Sequence, residues 1–276
     1  MLKIGKYNTL TIARVAEHGV YLADEAGTEV LLPNRYVTED MKPGQQLRVF
    51  VYTDSDDRPV ATTDTPFATA DEFAFLQVRD VNSVGAFLDW GLPKDLLVPY
   101  SQQKSKMNAG GIYPVYVYLD TASKRVVASA KIEKFIGNVF PDYHPGDKVK
   151  ALVIEHTPIG YRTIVDNRHW GMIYNNELER PLEIQETVDC TVKNVRDDGK
   201  IDIVPSGRAA AATDRLAKQI INELLLAGGK LPMSDSSSPE EIRASFNCSK
   251  KDFKKALGHL YKSGKILIGR DEISLA

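Results

Sequence analysis

Aromatic and aliphatic side chains alternate at two places in the first half of the sequence. Residues 115–120 read Val-Tyr-Val-Tyr-Leu-Asp, and Phe50 and Tyr52 alternate with valines in the same way. Successive side chains of a β-strand point to opposite faces, so Tyr116 and Tyr118 share one face and the aliphatic residues share the other. The aliphatic face must line a core, and the aromatic face is therefore predicted to be exposed. Exposed aromatic rings on a sheet can stack on nucleobases, at about 1–3 kcal/mol per base.

Packing is the alternative role for these four aromatic residues, because a neighbouring repeat or the edge of a barrel would also cover them. The two roles differ in what the rings contact, which is a nucleobase in one case and another part of the chain in the other. The sequence leaves both open.

Short strands dominate the chain from its start to about residue 205. They are alternating or β-branched runs, separated by turn pairs such as Pro43-Gly44 and Asp198-Gly199. No helical periodicity lasts beyond a turn or two, so several small all-β units are predicted. The clearest strand signals are at residues 10–15, 47–52, 115–119, 149–154 and 201–204.

An internal repeat organises these strands. Leu31-Leu32-Pro33 recurs as Leu97-Val98-Pro99, and Val60-Ala61-Thr62 recurs as Val127-Ala128-Ser129, with the same features in the same order between them. A looser third copy starts near Asp147. One fold repeated three times is predicted, in domains covering residues 1–64, 68–134 and 146–206.

The tail changes character and is predicted to be a winged helix over residues 211–276. Ser238 followed by Pro239 and Glu241 is the signature of a helix start, and Ser249 with Asp252 opens another helix in the same way. In that second helix the apolar residues from Phe253 to Tyr261 recur at helical spacing. A terminal β-hairpin follows.

Charge is unevenly distributed along the chain. The whole sequence has 35 basic and 37 acidic residues, a formal net charge of −2, which excludes a protein that is strongly basic overall. The segment 209–276 alone has a basic surplus. Its lysines are predicted to contact a phosphate backbone or a protein partner, and a merely solvated face is the alternative. These lysines are Lys250, Lys251, Lys254, Lys255 and Lys262.

Two sets of motifs resemble known proteins. Residues 84–89 and 96–101, with the strand at 115–120, resemble the S-one RNA-binding domain, an OB-fold repeat. With the tail motifs at 238–242 and 249–262, the whole chain resembles the bacterial conserved virulence factor B family. The resemblance implies three S-one-type barrels and a winged helix. It also implies RNA binding and a role in regulating virulence genes.

The resemblance also carries over site residues. The third-strand aromatic of an S-one domain corresponds to Tyr21 and Phe87, with Tyr161 near that position in the third repeat. Two departures are present, because the second-strand aromatic is His18 or Val84 and the loop histidine is Pro33 or Pro99. The other implied RNA-binding residues are Asp54, Arg58, Asp120, Arg125 and Tyr174.

Other classes of protein find no support in the sequence. Cys190 and Cys248 are far apart, the histidines lack metal-ligand spacing, and no nucleophile occurs with a base and an orienting group. No segment approaches the roughly 20 apolar residues of a membrane span. We therefore expect a mainly β, cytoplasmic, non-enzymatic single-stranded RNA-binding regulator, with no cofactor, metal, membrane or small-molecule substrate. The alternative is an adaptor whose winged helix docks on a ribosome, nuclease or RNA polymerase.

Overall fold

The first five strands close into a barrel. In the computed structural model the backbone of residues 1–206 and 208–276 is described, and the side chains of residues 1–206, 213 and 215–276. Neighbouring strands follow the order β1-β2-β3-β5-β4, and only the β3–β5 pair is parallel. This is the strand order of an OB-fold. The strands are β1 (Lys6–Ala16), β2 (Gly19–Ala23), β3 (Glu29–Pro33), β4 (Gln46–Thr53) and β5 (Pro59–Thr62).

The next ten strands repeat this architecture twice. The second unit keeps four of the five pairings, as a nearly closed five-stranded sheet of order β10-β9-β6-β7-β8 in which β8 and β10 are not paired, and the third closes again as β11-β12-β13-β15-β14. The predicted succession of three OB-type barrels is confirmed. The second unit consists of β6 (Glu72–Val81), β7 (Gly85–Asp89), β8 (Leu96–Pro99), β9 (Ile112–Leu119) and β10 (Val126–Ser129). The third consists of β11 (Lys148–Thr157), β12 (Gly160–Val165), β13 (His169–Tyr174), β14 (Thr187–Val195) and β15 (Ile201–Pro205).

A glycine begins the second strand of every barrel. Gly19, Gly85 and Gly160 have φ angles of +146°, +158° and +153°. A Cβ at these positions would lie 2.0, 2.3 and 2.1 Å from a carbonyl oxygen of the adjacent third strand. Only glycine permits so close an approach of two backbones. Because this glycine is at the same position in all three barrels, their sequences can be aligned on it and equivalent residues compared.

The winged helix follows the third barrel. Its three helices are covered on one side by a small sheet of order β16-β18-β17. The predicted capping box at Ser238 is present, with the serine hydroxyl accepting from the backbone N–H of Glu241 and the Glu241 carboxylate accepting from the backbone N–H of Ser238. The two-residue strand β16 was not predicted. The elements are α1 (Arg208–Leu226), β16 (Lys230–Leu231), α2 (Pro239–Phe246), α3 (Lys250–Lys262), β17 (Ile266–Ile268) and β18 (Ile273–Leu275).

The core of the winged helix is the apolar stripe of α3 packed on α1. Phe253, Leu257 and Leu260 are buried against Ile220 and Leu224. Among the helices of the described residues, none is long and apolar enough to cross a membrane.

Candidate nucleic-acid interface

The outer aromatic pair of the first barrel is buried, contrary to the prediction from alternation. Phe50 is 0% exposed and Tyr52 is 4% exposed. Their ring centroids lie 5.8 and 6.2 Å from that of Trp90, which belongs to the second barrel. The expectation that these two rings stand free for base stacking is therefore wrong. The alternation correctly indicated that these two side chains point away from the core of their own barrel. They are buried instead against the hydrophobic core of the second barrel.

The predicted Asp54 and Arg58 do pair, in the turn between β4 and β5. The Asp54 carboxylate accepts from the Arg58 guanidinium at 2.8 and 3.0 Å and from the backbone N–H groups of Asp56 and Arg58 at 2.9 Å. Burial opposes ionisation of this carboxyl, but the hydrogen bonds from Arg58 and Asp56 outweigh it and lower the pKa of Asp54. Asp54 therefore organises the turn, and Arg58 is exposed beside it.

The side chains of the corresponding residues of the second barrel, Asp120 and Arg125, are not paired with each other, although the backbone N–H of Asp120 donates to the carbonyl oxygen of Arg125 at 2.8 Å. Asp120 accepts from the hydroxyl and backbone N–H of Ser123 at 2.6 and 2.9 Å. Arg125 instead forms an ion pair with Asp57 in the first barrel. Lys94 of the second barrel donates to the carbonyl oxygen of Asp54 at 2.5 Å. These charged groups join the first barrel to the second.

Tyr116 and Tyr118 lie on the outer face of β9 and are half-buried. The Tyr116 ring stacks on Phe135 with centroids 4.2 Å apart, and it lies 4.7 Å from Phe73. Tyr118 lies 5.5 Å from Phe135. Burial, with a smaller effect of Asp71, raises the pKa of Tyr116 to about 12. Tyr116 packs on a hydrophobic cluster that continues into the third barrel, and Tyr118 adjoins this cluster through Phe135, so both rings contribute to a junction between barrels.

The third barrel lacks this aromatic pair. Counted from the shared register, the positions of Tyr116 and Tyr118 are occupied by Thr191 and Lys193. The Thr191 hydroxyl accepts from Lys148 at 2.7 Å, and Lys193 pairs with Glu177 at 2.8 Å. The outer face of β14 is therefore polar.

Tyr161, expected near the third-strand aromatic position and among the RNA-binding residues, does not lie on the outer face of its barrel. It directly follows Gly160, so it is equivalent to Val20 and Ala86, and like them it points into its barrel. Tyr161 is 6% exposed. The outward position is Arg162. The other tyrosine carried over for this barrel, Tyr174, is half-buried, and its hydroxyl accepts from the guanidinium of Arg196.

Tyr21 and Phe87 do lie on the outer faces of β2 and β7, where both are partly exposed. A β-bulge at the same point of β1, β6 and β11 shifts the register. In the first barrel this bulge sets Arg14 opposite Tyr21, with the guanidinium carbon 3.7 Å from the ring centroid. Such a contact is a cation–π interaction.

The third barrel has a pair of the same kind in the same region. Arg162 occupies the position of Tyr21, and its guanidinium carbon lies 4.5 Å from the centroid of Trp170 on β13. Sequence reasoning missed Arg14, Arg162 and Trp170. Counting from the repeated glycine would have identified Arg162, but the bulge that places Arg14 has no sequence signal of its own.

The arginines on these outer faces are already neutralised by carboxylates. Arg14 pairs with Glu29 at 2.7 Å, and Arg162 pairs with Glu155 at 3.1 Å. Arg79 of the second barrel bridges two aspartates. The hydrogen bond from Arg14 lowers the pKa of Glu29, so this pair stays ionised well below neutral pH. The barrel faces thus combine aromatic and guanidinium planes with little net charge.

The predicted lysines lie along the face of α3 opposite its buried stripe. Lys250 donates to the carbonyl oxygen of Ser236 at 3.2 Å, and Lys254 lies 3.6 Å from Asp235. The remaining three, Lys251, Lys255 and Lys262, are exposed. Tyr261, assigned to the apolar stripe from its spacing, is 57% exposed, so that assignment is wrong. The face offers cations and one aromatic ring to solvent.

Comparison with known proteins finds relatives along the whole chain. The chain is 32% identical over 282 residues to the uncharacterized protein YitL of Bacillus subtilis (strain 168), covering 96% of this chain and 91% of that protein. It is 27% identical over 285 residues to conserved virulence factor B of Staphylococcus aureus (strain USA300), covering 99% and 94%. The chain belongs to the conserved virulence factor B family.

Domain families agree with this membership. Residues 4–64 match the S1 (S-one) domain, and residues 218–275 match the CvfB-like winged helix domain. Domains of these two types indicate nucleic-acid binding. The chain is also similar to the crystal structure of a multidomain protein with nucleic acid binding domains from Streptococcus pneumoniae, at 22% identity and a TM-score of 0.41, covering 99% of this chain and 98% of that one.

Proposed function

We propose that this protein binds single-stranded RNA without catalysing a reaction, and that it regulates gene expression at the post-transcriptional level. The observation that carries the proposal is the arginine–aromatic pair on the outer β-hairpin face of two barrels. One pair is Arg14 with Tyr21, and the other is Arg162 with Trp170. S1 domain membership adds to it, since OB-fold proteins bind single strands on this face.

These pairs suit bases that are already unstacked. The Arg14 side chain is 52% exposed beside Tyr21, so a nucleobase can stack on that guanidinium or directly on the ring. The Arg162 side chain is 34% exposed, and Trp170 also packs against the apolar cluster between the second and third barrels, so less of this second pair is open to a base. A duplex keeps its bases stacked inside, so only a single strand offers them at little cost. If the pairs on two barrels bind the same RNA strand, the overall affinity of the protein for that strand would exceed the affinity of either pair alone.

The charge distribution predicts a modest salt dependence for this binding. Salt sensitivity grows with the number of phosphates that a protein neutralises. Arg14 and Arg162 already have carboxylate partners, as does Arg79. Stacking should therefore supply most of the affinity of the barrels, and the lysines of α3 should supply most of the salt-dependent part.

The test is fluorescence anisotropy with a labelled single-stranded RNA, compared with single-stranded DNA and duplex DNA at two salt concentrations. The double variant Arg14→Ala/Arg162→Ala should weaken RNA binding at least about tenfold. The control is Arg48→Ala, because Arg48 is another exposed arginine, and it lies over Tyr7 at 4.5 Å. It should change affinity less than about twofold. Equal losses in both variants, or a collapse of affinity on moderate added salt, would contradict the stacking mechanism.

The regulatory part of the proposal rests on the relatives. Several of them carry the name conserved virulence factor B, which links the family to virulence. For an RNA-binding member the corresponding role is control of messenger RNAs in the cytoplasm. Sequencing RNA that co-purifies with the protein would test it, because a regulator should enrich a defined set of transcripts. Uniform recovery in proportion to abundance would contradict regulation.

A second candidate function is that of an adaptor for a ribosome, nuclease or RNA polymerase. The observation in its favour is that the winged helix exposes large apolar side chains as well as lysines, among them Leu225, Leu226 and Leu267. Charge reversal at Lys250, Lys254 and Lys255 separates the candidates. It should weaken binding to purified RNA if the winged helix contacts nucleic acid, and it should affect only capture of a protein partner if the winged helix is a docking module.

A further inference from the structure

A cleft of about 710 Å³ lies where the second and third barrels meet. Its walls come from the β9 face with Tyr116, from the linker at 135–143, and from the β12–β13 turn at 166–169, and Lys6 of β1 with Asp71 and Glu72 completes the lining. Two hydrogen bonds fix these walls. The Asn167 side chain accepts from the backbone N–H of Phe73 at 3.0 Å, and the Arg168 carbonyl accepts from the N–H of Gly137 at 2.8 Å. The cleft is therefore built from packed and hydrogen-bonded elements.

Aromatic rings form part of the lining. Tyr116 and Phe135 stack with an interplanar angle of 21°. Phe140 of the linker lines the same cleft and is 64% exposed, and its neighbour Val139 is 73% exposed. A phenylalanine that packs so little on its own chain contributes little to the fold. It leaves most of an aromatic face free at the mouth of a cavity, which is where a flat ligand can stack.

The charges of the lining favour a nucleobase over a phosphate. Burial lowers the pKa of His169, so its imidazole is neutral at pH 7 and adds no positive charge. Carboxylates then outnumber cations, and a phosphodiester group would be repelled. Carboxylate oxygens accept hydrogen bonds, and the edges of bases carry N–H donors. The carboxylates are Asp71, Glu72, Asp142 and Asp166, and the cations are Lys6 and Arg168.

We propose that this cleft receives one nucleobase of the bound single-stranded RNA, stacked on Phe140. The inference rests on the proposed function and deepens it, because it adds a base site at the junction of two barrels to the stacking pairs on their outer faces. The site differs from those pairs in being concave and acidic.

The chain contains a matched control for Phe140. Phe67 is 66% exposed and lies in the other linker, between the first and second barrels, outside the cleft. Phe140→Ala and Phe67→Ala remove the same side chain from similarly exposed sites, so neither should lower the thermal unfolding midpoint appreciably. Anisotropy titration with the same labelled single-stranded RNA compares the two variants with the wild-type chain.

We expect Phe140→Ala to weaken RNA binding at least about fivefold and Phe67→Ala to change it less than about twofold. Ultraviolet cross-linking of the wild-type complex should place a cross-linked nucleotide on the peptide containing residues 135–143. Unchanged affinity in Phe140→Ala, or equal losses in both variants, would overturn the base site while leaving RNA binding intact. Absence of RNA binding by the wild-type chain would instead refute the proposed function itself.

Discussion

The two junctions between barrels use the same strand position in different ways. Phe50 and Tyr116 have equivalent places on the fourth strand of their barrels, facing Tyr7 and Phe73 across the sheet. Phe50 is completely buried against Trp90. Tyr116 is half-buried, stacks on the linker residue Phe135, and lines an open cleft.

The difference has two visible sources. The first linker has nine residues (63–71) and the second has eighteen (130–147), so the second pair of barrels is less tightly tethered. Trp90, five residues after the repeated glycine of its barrel, fills the first junction, and the third barrel has Val165 at that position. Phe50 therefore holds the first and second barrels together, while the equivalent Tyr116 remains accessible to a ligand at the second junction.

The largest expected effect is on stability at the first junction. Phe50→Ala should lower the free energy of unfolding by about 3–5 kcal/mol, because it removes a fully buried ring and leaves a cavity. Tyr116→Ala should cost clearly less, since solvent already reaches that ring. Urea titration followed by tryptophan fluorescence measures both, with Trp90 reporting directly on the first junction. Equal losses would show that the two junctions are equally packed.

Acid should loosen the second junction selectively. Burial lowers the pKa of His169, so the folded state binds a proton less readily than the unfolded chain. The stability gained from this histidine is present above its unfolded pKa of about 6.5 and is lost as pH falls below that value. The hydrogen-exchange protection factor of the Gly137 amide, which bonds to the Arg168 carbonyl, should fall as pH drops below about 6.5. The amide of Phe67, bonded to the Trp90 carbonyl in the first junction, should show no such change.

Alkali should act on the second junction through its tyrosines. Tyr116 and Tyr143 each have a pKa raised to about 12, chiefly by burial. A raised pKa means that the stabilisation is complete below the ordinary pKa of 10 and is lost as pH rises toward 12. Absorbance titration should show at least two fewer phenols ionising near pH 10 than in the unfolded chain, because the pKa values of Tyr36, Tyr52 and Tyr118 are raised as well. Tyr116→Phe should remove one of these late-titrating groups.

The smallest effect is expected from the ion pair across the first junction. Arg125 and Asp57 are both exposed, and exposed pairs contribute little to stability. Arg125→Ala should leave the urea midpoint within experimental error, with or without added salt. A clear destabilisation would mean that charge, rather than the ring packing around Trp90, holds the first two barrels together.

The sequence predicted local structure well because its signals are local. The repeat of Leu31-Leu32-Pro33 as Leu97-Val98-Pro99, the alternation around Val49 and Val117, and the capping box at Ser238 each depend on a few neighbouring residues. The barrels and the winged helix follow from such signals, and family resemblance supplied their order.

Exposure could not be predicted in the same way. Alternation separates the two faces of a strand but does not report what covers the outer face, so Phe50 and Tyr116 look alike in sequence. Tyr161 was misplaced by one residue, and a shift of one residue exchanges the two faces. The pair formed by Arg14 and Tyr21 depends on a bulge, and the cleft depends on how two barrels dock. The arginine–tyrosine pair and the cleft therefore become visible only in the folded three-dimensional structure.

The polar face of the third barrel has a consequence for how such chains can grow. Each of the first two barrels carries an aromatic pair onto which the following barrel docks, while Thr191 and Lys193 replace the pair in the third. A tandem duplication that appended a fourth module here would find no apolar patch to seat it, much as the capping units of solenoid proteins stop further stacking. Exchanging Thr191 and Lys193 for aromatic residues would create an exposed apolar patch on the third barrel, which should promote self-association.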